Sequence, residues 1–394
     1  MLTKNIFFQN FKKISSKKSV KNHLNKIIKY DLNNKKNLIF SLTNKYRYSY
    51  KKQKLNILKK NFSTFNIIGI GGSILGSKAI YYFLKEKIKK NFFFTDNLIG
   101  YKNNLNDKKK INIIISKSGN TLETIINTNT TVKKKDKNLI ITEKNKNFLN
   151  TLASKLKTEV IEHKNYIGGR YSVLSEVGML PAELMGLNVS KFKQINNLVK
   201  KNNFLKQLCK NVDCTLSLIK KKKINSIILN YDERSDNFFK WYQQLISESL
   251  GKKSKGILPV ISSMPKDNHS LLQLYLDGPK NNFFTFFYNF DKKSNIFRTG
   301  NFYKNFNFLN NKNISEIQYT QKIATQNVFN KKKIPFRSFE IFKRSEETLG
   351  ELFSFFILET ILLGKALNVN PFDQPSVELI KNETKRIFIK SNYR

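Results

Sequence analysis

Apolar residues along the chain fall into short runs separated by longer mixed stretches. Runs occur at 66–70 (NIIGI), 91–95 (NFFFT), 111–115 (INIII), 138–142 (NLIIT) and 158–161 (TEVI). The segment SKAIYYFLKEKIKK between the first two reads as a helix. Short strands that are apolar on both faces and alternate with helices predict a parallel sheet covered on both sides. After a polar break near 190–205, a second series follows at 224–231 (INSIILNY), 256–262 (GILPVIS) and 282–290 (NFFTFFYNF). A long helix is expected at 345–367, with Ser345 as N-cap and Glu346 and Glu347 in the first turn, where they suit the helix dipole. The first 45 or so residues are Lys/Asn-rich with scattered apolar positions, and read as helices packed on a larger body. The pattern predicts an α/β protein of two αβα sandwiches with parallel sheets. We place the first at 45–200 and the second at 201–370, flanked by an N-terminal helical segment (1–44) and a C-terminal one (371–394). No short-period repeat is visible, although the two halves could share a fold.

Length and composition fit this picture. The 394 residues suffice for two cores, and 40% hydrophobic with 13% aromatic residues marks a globular chain. The formal net charge of +44 raises nucleic acid as a partner. Nearly all of the positive charge is Lys, however, whereas phosphate-reading surfaces favour the planar fork of Arg. The lysines are also dispersed, as in KKISSKK, VKKKDK, IKKKK and NKKKI, so we expect no specific nucleic-acid binding. The charge should still favour acidic small substrates. Cys209 and Cys214 share one stretch without a second pair, which argues against a zinc site or a disulfide framework and fits a reducing compartment. The four-residue apolar run in MLTKNIFFQNFKK is too short for a signal-peptide core. The segment 349–367 carries Glu351 and Glu359 and reads as a buried helix rather than a membrane span. The expected setting is the cytoplasm, without membrane association.

Two loops carry the candidate chemistry. The first, GIGGSILG (69–76), offers backbone N–H groups and the Ser73 hydroxyl at a helix start. It is not a dinucleotide fingerprint, because Ile74 stands where G-x-G-x-x-G needs glycine, and no Gly-Lys-Ser/Thr closes it as an ATP loop. Alone, it could equally be a structural turn. The second, SKSGNTLET (116–124), places Ser116, Lys117, Ser118 and Thr121 around Gly119 after a strand. Four side-chain donors at a helix start suit a phosphate monoester, and a plain helix cap would account for one hydroxyl only.

Both loops resemble the phosphosugar loops of the glucose-6-phosphate isomerase family, which is built from two sugar-isomerase (SIS) domains. Four further stretches resemble that family's signatures in the same order: GGRYSVLSEVGMLP (168–181), QQLISESLGK (243–252), HSLLQLYLDG (269–278) and FDQPSVELIK (372–381). The resemblance covers roughly residues 45–385. It implies a reversible aldose–ketose isomerisation of D-glucose 6-phosphate to D-fructose 6-phosphate through ring opening and a cis-enediol(ate), in glycolysis and gluconeogenesis. It also implies roles for particular residues. Glu248 would be the base that moves the proton between C2 and C1. Arg170 would stabilise the enediolate as its charge develops. His269, donated across the interface of a homodimer, would open the ring with help from Lys381. Gly72, Ser73, Ser116, Lys117, Ser118 and Thr121 would hold the phosphate, with Gln244 and Gln374 lining the phosphate and sugar site. No metal or other cofactor is called for. The chain departs from the family pattern at Leu250, Ser376 and Ile380, where Asn, Gly and Gly are usual. Two other readings stand beside this one. The chain could be a related isomerase that also accepts mannose 6-phosphate, or a non-catalytic SIS regulator, which would have no reason to keep Glu248, Arg170, His269 and Lys381 together.

Overall fold

The computed structural model describes residues 1–12, 18–98, 109–291, 293–298 and 301–391. Ten strands lie among them: β1 (Ile6–Gln9), β2 (Thr64–Ile68), β3 (Asn91–Thr95), β4 (Lys110–Ile115), β5 (Lys137–Thr142), β6 (Glu159–Glu162), β7 (Asn225–Asn230), β8 (Leu258–Ser263), β9 (Asn282–Asn289) and β10 (Phe336–Ile341). The first sheet is parallel throughout, in the order β3-β2-β4-β5-β6. The second runs β1-β10-β9-β7-β8 and is parallel except for β1, which pairs antiparallel with β10. Without β1, the strands of each sheet follow one plan: the chain starts at an inner strand, adds one neighbour outward, then crosses back to build the other side. In such doubly wound sheets, ligands bind beyond the carboxyl ends of the two strands flanking the reversal. In the first sheet those strands are β2 and β4, and the loops that follow them are GIGGSILG and SKSGNTLET.

All eight expected apolar runs contain a strand, with ends shifted by a few residues at most. The long helix spans Glu346–Ala366, and the Ser345 side chain accepts a bond from the Thr348 N–H. Two expectations need correction. The N-terminal segment is not wholly helical, because Ile6–Gln9 forms an edge strand before the helix Lys18–Lys29. The second sheet is therefore mixed. An antiparallel edge strand needs no crossover helix, which makes it a common addition to a parallel sheet. β10 also escaped the hydrophobic pattern, since FRSFEI interrupts its apolar residues with buried charge. Arg337 pairs with Glu359 and donates to Asn211 at 2.8 Å and Thr285 at 2.9 Å, while Glu340 pairs with Lys322.

The halves share one core. Ile80 and Phe83 of the first half cluster with the helices Asp236–Leu250 and Glu346–Ala366 of the second, which meet through Trp241 and Phe353 (ring centroids 4.7 Å) and through Tyr242 and Phe356 (4.6 Å). At the reversal of the second sheet, Asp232 accepts from Arg344 at 2.7 Å and from Ser235. Beside it, Arg234 pairs with Glu86, and Lys87 with Glu346 at 2.6 Å. Ion pairs with the first half thus lie near that reversal, and the Ser/Thr-rich loop occurs at one reversal of the two. The helix Pro375–Ser391 is exposed along almost its whole length. No helix among the described residues is long and apolar enough to cross a membrane.

Candidate active site

The site starts from close backbone packing. Gly71 has φ +56°, and a Cβ there would stand 2.8 Å from Gln244 Nε2. At Gly72 a Cβ would sit 2.2 Å from the carbonyl carbon of Gly169 and 2.6 Å from the Arg170 nitrogen. Glycine at these positions lets the loop after β2 rest directly on the GGR turn at 168–170. Ser73 closes the short 3-10 turn Gly71–Ser73 and is half-buried. After β4, Gly119 has φ +67°, and its missing side chain leaves room for Asn147. The Ser116 and Thr121 hydroxyls are 2.9 Å apart, and the exposed Ser118 Oγ accepts from the Asn120 N–H at 3.3 Å. Lys117 is turned outward: its ammonium donates to the Asn165 carbonyl at 2.8 Å and pairs with Glu143 at 3.6 Å.

Arg170 is the hub. It is 1% exposed, and its guanidinium is fully engaged. Nε donates to Ser249 Oγ (2.8 Å), one terminal nitrogen to Glu248 (3.1 Å) and to Gln374, and the other to the carbonyls of Pro371 (2.7 Å) and Asp373 (3.0 Å). The second oxygen of Glu248 accepts from Gln244 Nε2 at 2.8 Å, so both carboxylate oxygens are held. Gln244 Oε1 is buried without a hydrogen-bond partner among the described residues. Glu248 and Gln374 line a cavity of about 220 Å³, with Ser247, Lys252 and Ser376.

The structure therefore brings Arg170, Glu248, Gln244 and Gln374 into one bonded group, against which the Gly71–Gly72 loop packs. It leaves two of the expected catalytic residues outside, and Ser116, Lys117, Ser118 and Thr121 bond to other partners. His269 ends the 3-10 turn Lys266–His269 and is exposed, and its imidazole has no hydrogen bond or ion pair among the described residues. Lys381 lies on the exposed C-terminal helix and pairs with Glu378 at 2.7 Å. Leu250, one of the departures, is fully buried in the core.

Sequence reasoning missed the residues that hold this group. Ser249 and Tyr171 share a 2.9 Å bond, and the Tyr171 hydroxyl also donates to the Pro371 carbonyl at 2.9 Å; burial raises that phenol above its ordinary pKa. The Lys252 ammonium clamps the segment 370–373 through the carbonyls of Asn370 and Asp373 (the latter at 2.6 Å) and through Asp373 Oδ1 at 2.8 Å. Lys252 holds the Asp373 carboxyl below its usual range. Ser249 and Tyr171 directly follow Glu248 and Arg170, whereas Lys252 adjoins none of the expected site residues. Among the described residues, no three His, Cys, Asp or Glu side chains gather as a metal site.

Fold and site together define a doubly wound α/β protein with a Ser/Thr-rich loop after β4 and a buried Arg170 paired with a partly exposed Glu248. The family model for phosphoglucose isomerase matches residues 28–262, and the chain belongs to that family. It is 34% identical over 339 residues to a glucose-6-phosphate isomerase of Methanocaldococcus jannaschii, covering 79% of this chain and 81% of the relative. To a glucose-6-phosphate isomerase of Mycoplasmopsis synoviae it is 32% identical over 371 residues, covering 86% and 85%. Among solved structures, a hypothetical protein of Thermus thermophilus superposes with TM-score 0.80 at 21% identity, covering 94% of each chain. A glucose-6-phosphate isomerase of Chlamydia trachomatis gives TM-score 0.69 at 20% identity, covering 86% of this chain and 72% of that one. At these identities the structural likeness speaks for the fold.

Proposed function

We propose that this chain is an isomerase interconverting D-glucose 6-phosphate and D-fructose 6-phosphate, a step of glycolysis and gluconeogenesis. The observation that carries the reading is the fixed Arg170–Glu248 pair at a cavity, with the Gly71–Gly72 loop packed on Gln244 and on the GGR turn. Ser73, Ser116, Ser118 and Thr121 would take the 6-phosphate through hydroxyls and loop N–H groups, with Gly72 keeping the loop close and Lys117 adding positive charge nearby. Glu248 would remove the C2 proton of the open-chain aldose. The electron pair then forms the C1–C2 double bond, and the carbonyl oxygen at C1 becomes the enediolate oxygen. The charge of Arg170, whose N–H groups are all engaged, would stabilise the enediolate through its field while holding Glu248 in place. Return of the proton to C1, with transfer of the O2 proton to O1, completes the ketose. Gln244 Oε1, which has no partner among the described residues, would accept from a sugar hydroxyl, and Gln374, held by Arg170, would line the same cavity. In this reading the protein works in the cytoplasm as a homodimer, in which His269 of each subunit serves ring opening in the other and Lys381 assists.

The test is a coupled assay on glucose 6-phosphate and mannose 6-phosphate side by side. Turnover of the first sugar alone is expected, and turnover of both would broaden the substrate range. Activity on neither, with sugar phosphate still bound, would favour a non-catalytic regulator. Glu248→Gln should lower kcat by roughly 10²–10⁴-fold while binding persists. An unchanged kcat would remove Glu248 from the chemistry.

A further inference from the structure

Ser249 follows Glu248 on the helix Asp236–Leu250, and Tyr171 follows Arg170 in the GGR turn. Both are buried, Ser249 at 0% and Tyr171 at 1% exposure, and neither lines the cavity beside Glu248. Their hydroxyls close a ring of hydrogen bonds through the guanidinium of Arg170. Arg170 Nε donates to Ser249 Oγ at 2.8 Å, and the Ser249 and Tyr171 oxygens lie 2.9 Å apart. The Tyr171 hydroxyl reaches the Pro371 carbonyl at 2.9 Å, and that carbonyl also accepts from Arg170 Nη2 at 2.7 Å.

The direction of each proton follows from the donors available. A carbonyl can only accept, so the single phenol proton of Tyr171 goes to Pro371. The bond between the two hydroxyls then uses the Ser249 proton, and Ser249 Oγ is left as the acceptor for Arg170 Nε–H. Burial raises the Tyr171 phenol above its ordinary pKa, which keeps its proton in place near neutral pH. Turning any one bond around would leave a buried donor unpaired.

The ring settles what the other edge of the guanidinium can do. With Nε and Nη2 tied, the plane cannot roll, and Nη1 keeps one direction, toward Glu248 at 3.1 Å and toward Gln374. From the same helix, Trp241 Nε1 donates to the Arg170 carbonyl at 3.1 Å and holds the backbone of that residue as well. A base that takes a proton from carbon depends on its aim, because small displacements from a productive geometry cost rate steeply. We propose that Ser249 and Tyr171 are positioning residues of the isomerase site, acting through Arg170 to set the angle at which the Glu248 carboxylate meets the substrate. The proposal rests on the isomerase reading above. Packing alone would make both residues matter for stability and leave the turnover of folded protein unchanged.

Steady-state kinetics on glucose 6-phosphate with Ser249→Ala, Tyr171→Phe and the double variant test this. Each single change should lower kcat about tenfold and leave KM within about twofold. The double variant should fall little further, because one break already opens the ring. A second readout needs no turnover. In ¹⁵N spectra of the full chain, the Arg170 Nε–H is assigned by its loss in Arg170→Lys. It should exchange with solvent roughly tenfold or more faster in Ser249→Ala than in the unaltered protein. An unaltered protein inactive on glucose 6-phosphate would end the isomerase reading and this role with it. An active one whose kcat stays within about twofold in both single variants would overturn this proposal alone. So would fully multiplicative losses in the double variant, or equal exchange of the Nε–H in Ser249→Ala and the unaltered protein.

Discussion

Arg170 shows how much a single side chain organises here. Its fork spans Ser249, Glu248, Gln374 and two carbonyls of the segment 371–373. A lysine could keep the charge but could not reach these partners in one plane. Arg170→Lys should therefore lower kcat by roughly 10²–10³-fold, as expected when a fixed charge that positions Glu248 is displaced, with a smaller change in KM. Steady-state kinetics would check this, and an unchanged kcat would show that charge alone suffices. Gly72 is constrained in a different way. A methyl group there would overlap the Gly169 carbonyl, so Gly72→Ala must push the Gly71–Ser73 loop off the GGR turn. About 1–3 kcal/mol of lost stability, read by denaturant unfolding, is expected together with a raised KM. The two glycines and Arg170 were legible as GGR and GIGG, because a rare Arg beside paired glycines is a local pattern. Ser249 was not, since its role depends on where Arg170 Nε arrives in space.

At the scale of elements, the helix Asp236–Leu250 carries Gln244 and Glu248 one turn apart on one face, while Trp241, Leu245 and Ile246 face the core. Glu248 sits in the last turn, where the helix dipole disfavours a carboxylate. The guanidinium from the 170 turn compensates for this, so the two motifs depend on each other. Just past that helix, Lys252 clamps residues 370–373 and thereby sets where Gln374 and the C-terminal helix begin. Lys252→Ala should speed proteolytic cleavage near residues 370–376 and lower kcat several-fold, while Lys252→Arg should restore part of both. Equal cleavage rates in Lys252→Ala and the unaltered protein would show that the clamp does not order this segment. Nothing in a Lys-rich sequence marked this lysine, because residue type carries no information where the type is so abundant.

For the whole molecule, the two sheets follow one winding plan but present different chemistry at their reversals. One carries the Ser/Thr loop, and the other an Asp232–Arg344 pair among contacts between the halves. His163 is 2% exposed in the first half, and burial holds its imidazole at about 4. In the unfolded chain the same group titrates near its ordinary 6.5. Between these values the unfolded state binds more protons, so stability is fully present above pH 6.5 and is lost as pH falls toward 4. The loss should reach about 3 kcal/mol. Denaturant unfolding at pH 6.5 and 4.5 would check it against His163→Asn, in which the pH dependence over that interval should be flatter by about 2 kcal/mol. Parallel curves would exclude His163 as a source of the acid sensitivity.

The sequence by itself determined the elements and the candidate loops. Buried strands announce themselves as continuous apolar runs, and phosphate-type loops as glycine with hydroxyl residues at a strand end, since both depend on neighbours in the chain. Tertiary structure alone decided what depends on distant neighbours. β1 found its place only because β10 offered a free edge, and β10 hid its strand character behind an Arg337 that Glu359 neutralises. The outward turn of Lys117, the clamp at Lys252 and the bond from Arg170 to Ser249 likewise arise from partners far away in sequence. A charge or hydroxyl acquires its role from what faces it, and the fold supplies that partner.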